Sequence, residues 1–195
     1  MQAAAKKRLT PAEYLAAERL AETKHEFLGG ELFDMSGGTD SHSLIASNVL
    51  GELHAQLKGK PCRAFTSDLR LKVEATELYA YPDVQVACGE LRFEDETRDV
   101  LLNPTVILEV LSPSSAAWDR GQKFWHYRHL TSLSDYVLVS QDRWLVEHYR
   151  RQPNGGWLLE TIDTAAGLLR LDSVGCEVPL SEIYAGTDVK PFGKV

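Results

Sequence analysis

The feature that most constrains the fold is a series of short, strongly apolar segments in the middle of the chain. Val84–Ala87, Thr105–Leu111 and Tyr136–Val139 have the composition of central strands, which are buried on both faces of a sheet. Ala64–Val73 alternates polar and apolar residues, as a half-exposed strand does. With a helix predicted over Ser115–Leu130, the order indicates an α/β fold in which helices flank a mixed β-sheet. A sandwich and a helical bundle are excluded.

Capping and turn signals predict the N-terminal elements. A threonine, a proline and a glutamate form a capping box with a proline in the first turn: Thr10, Pro11 and Glu13. They predict a helix that runs to about Glu22. Gly29-Gly30 separates His25–Leu28 from Glu31–Met35 and predicts a hairpin. The chain is therefore expected to begin with a helix followed by a β-hairpin.

Asp40 or Ser41 is predicted to cap a second helix, which reaches about Leu57 because apolar residues recur with the helical period. These are Leu44, Ile45, Val49, Leu53 and Leu57. Near the C-terminus, three segments predict an antiparallel β-meander: Trp144–Arg151, Gly156–Ile162 and Leu168–Leu171. We expect a flexible N-terminus over 1–9, a single domain over 10–187 and a tail over 188–195.

Composition limits the classes of function. With 44% hydrophobic and 25% charged residues, the chain is an ordinary globular sequence, and no apolar run approaches the length of a membrane span. The net charge of -7 argues against a strongly basic DNA clamp. Three widely spaced cysteines (Cys62, Cys88 and Cys176) fit neither a disulfide framework nor a zinc site, so a reducing cytoplasm is the expected location.

Two carboxylates interrupt the apolar strands. Asp83 stands directly before Val84–Ala87, and Glu109 lies inside Thr105–Leu111. A charge in a central strand is costly unless a cation or a partner compensates it. If the two strands are neighbours, the carboxylates converge at one end of the sheet, where their hard oxygen atoms suit Mg²⁺ or Mn²⁺. The alternatives are that Asp83 caps a turn and that Glu109 pairs with an arginine.

Asp119, Lys123 and Tyr127 follow at steps of four, and so share one face of the predicted helix. One interpretation is an exposed Asp119–Lys123 ion pair, which contributes little to stability. The other directs Lys123 over the strand ends towards the two carboxylates. There it would hold a scissile phosphate or orient the attacking water.

These segments together resemble the Uma family of restriction endonucleases, within the PD-(D/E)xK nuclease superfamily. The resemblance is carried by the segments 25–32, 81–84, 104–114, 135–139 and 180–184, with His42, Asp119, Lys123 and Tyr127. It implies a restriction-endonuclease-like core, a mixed four-stranded sheet flanked by helices. It further implies that Asp83 and Glu109 are metal ligands, with Mg²⁺ or Mn²⁺ as cofactor and DNA as substrate.

The superfamily motif has a lysine two residues after the second acid, where this chain has Leu111. Lys123 is the natural substitute, and Lys72 on the preceding strand is a second candidate. Glu26 resembles the family's upstream acid, which would complete the metal site or steady Lys123; its alternative is a local salt bridge. His42 is a further site candidate, with a helix cap or an exposed imidazole as the alternative.

The predicted catalytic residues are therefore Asp83, Glu109, Lys123 and Glu26, and the predicted substrate-binding residues are His42, Lys72, Asp119 and Tyr127. The predicted function is metal-dependent DNA endonuclease activity, with no membrane association. A homodimer is expected, because two symmetry-related sites cut both strands of a duplex most simply. The alternatives are an inactive nuclease-fold binding module and a metal-dependent phosphodiesterase acting on RNA or nucleotides.

Overall fold

A computed structural model describes residues 8–35 and 37–191, so most of the predicted N-terminal segment and the last four residues of the predicted tail lie outside the described residues. The strands are β1 (His25–Leu28), β2 (Glu31–Asp34), β3 (Cys62–Thr66), β4 (Arg70–Val73), β5 (Leu78–Ala80), β6 (Val84–Cys88), β7 (Val100–Leu101), β8 (Val106–Leu111), β9 (Asp135–Ser140), β10 (Val146–Arg151), β11 (Trp157–Ile162), β12 (Leu168–Leu171) and β13 (Cys176–Pro179). The α-helices are α1 (Pro11–Glu18), α2 (Asp40–Leu57), α3 (Ala116–Trp118), α4 (Phe124–Tyr127) and α5 (Leu180–Ile183).

The central sheet has six strands in the order β11-β10-β9-β8-β6-β3. Strands β8 and β9 are parallel, and the helical segment between them makes the crossover that a parallel pair requires. The other neighbouring pairs are antiparallel. The mixed sheet is therefore confirmed, but with six strands in place of the expected four.

A second sheet of five strands has the order β2-β1-β5-β4-β7. The prediction of one continuous strand over Ala64–Val73 is wrong, because β3 belongs to the central sheet and β4 to the second. A turn separates them, in which the amide of Leu69 donates to the carbonyl of Thr66 at 3.2 Å. The turn lets one chain segment pass from sheet to sheet.

Helix α2 covers one face of the central sheet. Its residues Ile45, Val49 and Leu53 are fully buried against a core to which β6 and β8 contribute alternate residues. Its cap is Thr39, whose hydroxyl accepts from the amide of His42, and not Asp40 or Ser41. Leu44, placed on the apolar face by the sequence, is 40% exposed.

The opposite face of β8 packs against a second core. Ile107 and Leu111 belong to this core, together with Tyr127, Tyr136 and residues of the second sheet. Because residues of a strand point alternately to its two faces, Glu109 shares this face with Ile107 and Leu111. The strand thereby directs Glu109 towards the helical crossover.

The capping box of α1 and the following hairpin are confirmed. The helix ends at Glu18 and not near Glu22, since the next apolar residue, Leu20, is 87% exposed and has no surface to pack against. In the hairpin, Gly29 and Gly30 both have positive φ, which glycine adopts without strain.

The predicted three-stranded meander is only partly correct. Strands β9, β10 and β11 do pair in sequence, but β12 pairs with β13 in a separate two-stranded sheet. Leu169 and Leu171 bury themselves in the core beneath α2, which directs β12 away from β11. A side chain on Gly167 would lie 2.5 Å from Ile162 in the intervening turn, so the turn requires glycine. Of the predicted tail, Lys190 accepts from the amide of Trp144 through its carbonyl.

The expectation of no disulfide is wrong. Cys62 and Cys88 are direct partners in the β3–β6 register and form a disulfide bond. Strand pairing removes the separation of 26 residues that made the pair look unrelated. Cys176 is a buried free thiol. Cysteine usage therefore gives no support for a reducing compartment. Among the described residues, none of the helices has the length and apolar character that a membrane crossing requires.

Candidate active site

Asp83 and Glu109 meet where β6 and β8 run side by side. The register pairs Val84 with Leu108, which sets the residue before β6 next to Glu109. The amide of Val110 donates to Oδ2 of Asp83 at 2.7 Å, and the amide of Asp83 lies 3.4 Å from Oε2 of Glu109. Each carboxylate is thus oriented by the backbone of the other's strand.

Lys123 reaches this point from the crossover helix. Its Nζ lies 2.9 Å from Oε1 of Glu26, 3.0 Å from Oε1 of Glu109 and 3.7 Å from Oδ1 of Asp119. Burial alone lowers the pKa of the ammonium, but the neighbouring carboxylates outweigh burial and raise the pKa well above its ordinary value. Lys123 is therefore a buried cation. Glu109 pairs with this lysine and not with an arginine.

The crossover is not the regular helix predicted over Ser115–Leu130. Helices α3 and α4 are joined by a π-helical turn, Asp119–Lys123, and α4 ends at Tyr127. The hydroxyl of Tyr136 donates to the carbonyl of Asp119 at 3.0 Å, which gives that carbonyl a partner outside the helix. Widened turns of this kind are frequent at functional sites.

Tyr127 fixes the other side of Glu109. Its buried hydroxyl donates to Oε1 of Glu109 at 3.0 Å, the same oxygen that contacts Lys123. Burial raises the pKa of Glu109 to about 8; Lys123 opposes the rise, and Asp83 adds to it. Glu109 thus occupies an environment that disfavours its charge unless further positive charge is supplied.

The cleft has more negative than positive charge. Five carboxylates line it, those of Glu26, Asp34, Asp83, Glu109 and Asp119, with Lys123 as a buried ammonium. Burial likewise raises the pKa of Asp119, a rise that Lys123 opposes. The surplus of negative charge favours binding of a cation.

The donor set of the cleft fits Mg²⁺ or Mn²⁺ held largely by water. Among residues 8–35 and 37–191, no three His, Cys, Asp or Glu side chains are arranged to hold an ion together. Asp83 and Glu109 nevertheless supply two hard carboxylates, and Mg²⁺ commonly binds through one or two carboxylates while keeping several waters. The arrangement is that of a two-carboxylate site and not of a closed protein cage.

His42 lies on the other side of Asp83. Its Nε2 is 3.4 Å from Oδ2 of Asp83, and this contact raises the pKa of the imidazole. The ring is neither the helix cap nor fully exposed. Gly38 passes close above it, since a Cβ there would lie 2.7 Å from Nδ1 of His42. The histidine is therefore held between a glycine backbone and the first carboxylate.

Lys72 is not brought to this cleft. It lies on β4 in the second sheet, where it pairs with Glu94 and stands over the ring of Tyr79 at 5.0 Å. The carboxylate of Glu94 compensates the charge of Lys72. Of the predicted substrate-binding residues, His42 and Asp119 line the cleft, and Tyr127 contacts it through Glu109.

Sequence reasoning missed the residue that ties the two acid-bearing segments together. Glu18, almost completely buried, accepts from the amide of His25 at 2.8 Å and from the hydroxyl of Tyr81 at 2.8 Å. His25 precedes Glu26, and Tyr81 lies two residues before Asp83. A glutamate at the end of an amphipathic helix carries no sequence signal for such a role, although both of its partners, His25 and Tyr81, lie within segments already singled out.

The fold is similar to that in a crystal structure of a "putative nuclease belonging to DUF820" from Anabaena variabilis. It superposes with a TM-score of 0.71 at 20% identity, covering 90% of this chain and 97% of that one. The match establishes the restriction-endonuclease-like fold predicted from the sequence.

Two proteins of Synechocystis sp. are similar over most of the chain. The uncharacterised protein sll1609 is 38% identical over 159 residues, covering 82% of this chain and 90% of the relative. The uncharacterised protein slr1290 is 35% identical over 179 residues, covering 92% and 93%. The Uma2 family model, described as "Putative restriction endonuclease", matches residues 11–181. The chain therefore belongs to the Uma2 family.

Proposed function

We propose that this protein is a nuclease that hydrolyses phosphodiester bonds of DNA with the help of Mg²⁺ or Mn²⁺. The observation that carries the proposal is the meeting of Asp83 and Glu109 beside the buried ammonium of Lys123. The family and the nuclease-like fold support the same activity. The absence of a lysine two residues after Glu109 does not contradict this activity. Leu111, which stands at that position, packs into the core, and Lys123 contacts the carboxylate of Glu109 from the crossover helix.

In this proposal Asp83 and Glu109 hold the cation. The chemistry that such an ion would supply there is polarisation of the phosphate and a lower pKa of the attacking water. The backbone amides on the two carboxylates and the hydroxyl of Tyr127 keep them oriented. Glu26 and Asp119 position Lys123 from the sides.

Lys123 stabilises the negative charge that develops on the phosphate. Its Nζ lies 2.9 Å from a carboxylate oxygen of Glu26 and 3.0 Å from one of Glu109. An ammonium has three N–H donors, so Lys123 can also donate to a phosphate oxygen in the cleft. Because the site is buried, this contact acts at low dielectric, where a preorganised charge is most effective.

We assign DNA as the substrate because the family is described as one of restriction endonucleases. A homodimer is the arrangement that cuts both strands of a duplex most directly. A binding module without catalysis is the second candidate. It is favoured by the two carboxylates that already neutralise Lys123. Sedimentation of the free protein and of its DNA complex tests the dimer.

The test combines metal titration with plasmid cleavage. Calorimetry with Mn²⁺ and Mg²⁺ is compared for the wild type, for Asp83→Asn/Glu109→Gln and for Glu160→Gln, an exposed glutamate on β11 that serves as matched control. We expect saturable binding and nicking in the wild type and the control, and neither in the double variant. Binding without cleavage of DNA or RNA establishes the inactive module; cleavage of RNA alone identifies a ribonuclease. Wild-type cleavage by the double variant overturns the proposal.

A further inference from the structure

A second and larger cavity adjoins the cleft. It has a volume of about 570 Å³, and both cavities are bounded by His42, Asp83 and Gly38. Neither Glu109 nor Lys123 lines it, so it extends the cleft away from the ammonium. Its volume is in the range of pockets that enclose a small organic molecule. Whatever occupies the cleft at Asp83 therefore has a neighbouring space to enter.

The lining of this cavity is rich in hydroxyl groups and includes one lysine, one histidine and one aspartate. Five small hydroxyl residues contribute: Thr23, Ser43, Ser47, Thr66 and Ser67. Ala46 and Leu50 of α2 add an apolar surface. The cation of the lining, Lys24, contacts the carbonyl of Ser67 at 3.0 Å and pairs with Asp68. Among the described lining residues, no lysine or arginine is left without a partner.

We propose that this cavity, which we name the flanking pocket, binds the base and sugar of the nucleotide next to the scissile phosphate; the inference rests on the proposed function. Phosphates are bound chiefly by lysine, arginine and backbone amides, and no lysine or arginine among the described residues that line the flanking pocket is free to bind one. Serine and threonine hydroxyls bind base edges of either type, and apolar side chains contact base faces.

The position of the flanking pocket beside the cleft also restricts whether paired or unpaired nucleotides can bind. A base inside a closed duplex cannot leave the stack to enter a side cavity unless it is extruded or already unpaired. A chain of net charge -7 also offers little attraction for a duplex as a whole. The substrate class assigned is therefore DNA in which the nucleotide at the cleavage position is already unpaired or is extruded from the duplex on binding.

Binding is tested without metal or catalysis. The four deoxynucleoside 5′-monophosphates are titrated by calorimetry into the wild type, into Ser47→Trp, which fills the flanking pocket, and into Leu44→Trp. Leu44 is exposed on the same helix and does not line the pocket, so it is the matched control. We expect at least about tenfold weaker binding in Ser47→Trp and no change in Leu44→Trp. Thermal unfolding confirms that both variants fold.

Three results overturn the inference: no binding by the wild type, equal affinity in Ser47→Trp, or complete displacement of the nucleotides by inorganic phosphate. The last would mean that the phosphate and not the base carries the binding. A third variant, Ser47→Ala, removes the hydroxyl without adding bulk and is expected to weaken binding less than Ser47→Trp.

Cleavage separates this inference from the proposed function. With metal, Ser47→Trp is expected to slow cleavage of a single-stranded oligonucleotide at least about tenfold, but to leave hydrolysis of methyl p-nitrophenyl phosphate unchanged, since that diester has no base. An equal loss of rate on both substrates contradicts the binding of a base in the flanking pocket. If the wild type hydrolyses neither the oligonucleotide nor the small diester, the proposed function fails. The nucleotide titration still decides whether the flanking pocket binds nucleotides.

Discussion

Nζ of Lys123 lies 3.0 Å from Oε1 of Glu109, although the lysine belongs to the crossover helix and the glutamate to a central strand. Because both groups are buried, neither can exchange its partner for water without opening the cleft. The pair therefore links the activity of the site to the stability of the crossover.

Replacing Lys123 by methionine removes the ammonium while keeping much of the volume. It leaves buried carboxylates without their counter-charge, so we expect a loss of about 3–5 kcal/mol in the free energy of unfolding. Urea unfolding measures the loss. Cleavage should fall by about 100- to 1,000-fold. The double variant Lys123→Met/Glu109→Gln should recover part of the stability but none of the activity; additive losses would show that the two groups are not coupled.

Glu18 is a positioning residue that acts through the segments of Glu26 and Asp83. Glu18→Ala removes the acceptor of the His25 amide and the Tyr81 hydroxyl, and we expect a fall of about 10- to 100-fold in kcat with little change in KM. Glu18→Gln keeps an acceptor oxygen and should restore most of kcat. Glu22→Ala, an exposed change just beyond the same helix, is the control. Failure of the glutamine variant to recover activity would contradict positioning.

Asp99 makes stability depend on pH. The guanidinium of Arg19 donates to Asp99 and holds its pKa below the ordinary value. A lowered pKa in the folded state stabilises the protein above the ordinary aspartate pKa, and this stabilisation is lost as the pH falls through the lowered value. Asp99→Asn should therefore be less stable than the wild type at pH 7, with the difference shrinking under acid conditions. Urea unfolding at several pH values measures this, and Asp163→Asn, an exposed change, should show no such trend.

The Cys62–Cys88 disulfide closes a loop of 26 residues. In the chain-entropy account, a loop of that length contributes about 3–4 kcal/mol by restricting the unfolded chain. Reduction should lower the unfolding temperature of the wild type without changing that of Cys62→Ser/Cys88→Ser. Thermal unfolding with and without a phosphine reductant makes the comparison. An identical response of the two proteins would show that the bond is not formed in solution.

The sequence indicated Asp83, Glu109 and Lys123 because charges inside apolar strands, or at helical spacing beside them, are costly and therefore visible. Lys72 lies outside the cleft for a reason that the sequence does not show. It lies on a segment that looks like one strand, and the turn that carries it into the second sheet depends on tertiary packing. Glu18 had no signal, because a glutamate near the end of a helix is ordinary until its partners are known.

Pairing between distant segments could also not be predicted from the sequence. The disulfide depends on the register of β3 against β6, and the separation of β12 from the meander depends on burial of Leu169 and Leu171 beneath α2. Neither register nor burial partner is encoded in local periodicity. The local features that were predicted correctly, the capping box and the Gly29-Gly30 hairpin, are those whose causes lie within a few residues.

The π-helical turn Asp119–Lys123 lets the crossover carry one extra residue without turning its two ends relative to each other. A π-helical turn closes its hydrogen bonds over five residues where an α-helical turn closes them over four, so the two turns cover nearly the same rotation. Trp118, before the turn, and Lys123, at its end, therefore both line the cleft. Deleting Gly121 would let the turn close into regular α form and would keep this relation. Deleting Trp125 from α4 would instead rotate Tyr127 by about 100° relative to Lys123 and would take its hydroxyl away from Glu109.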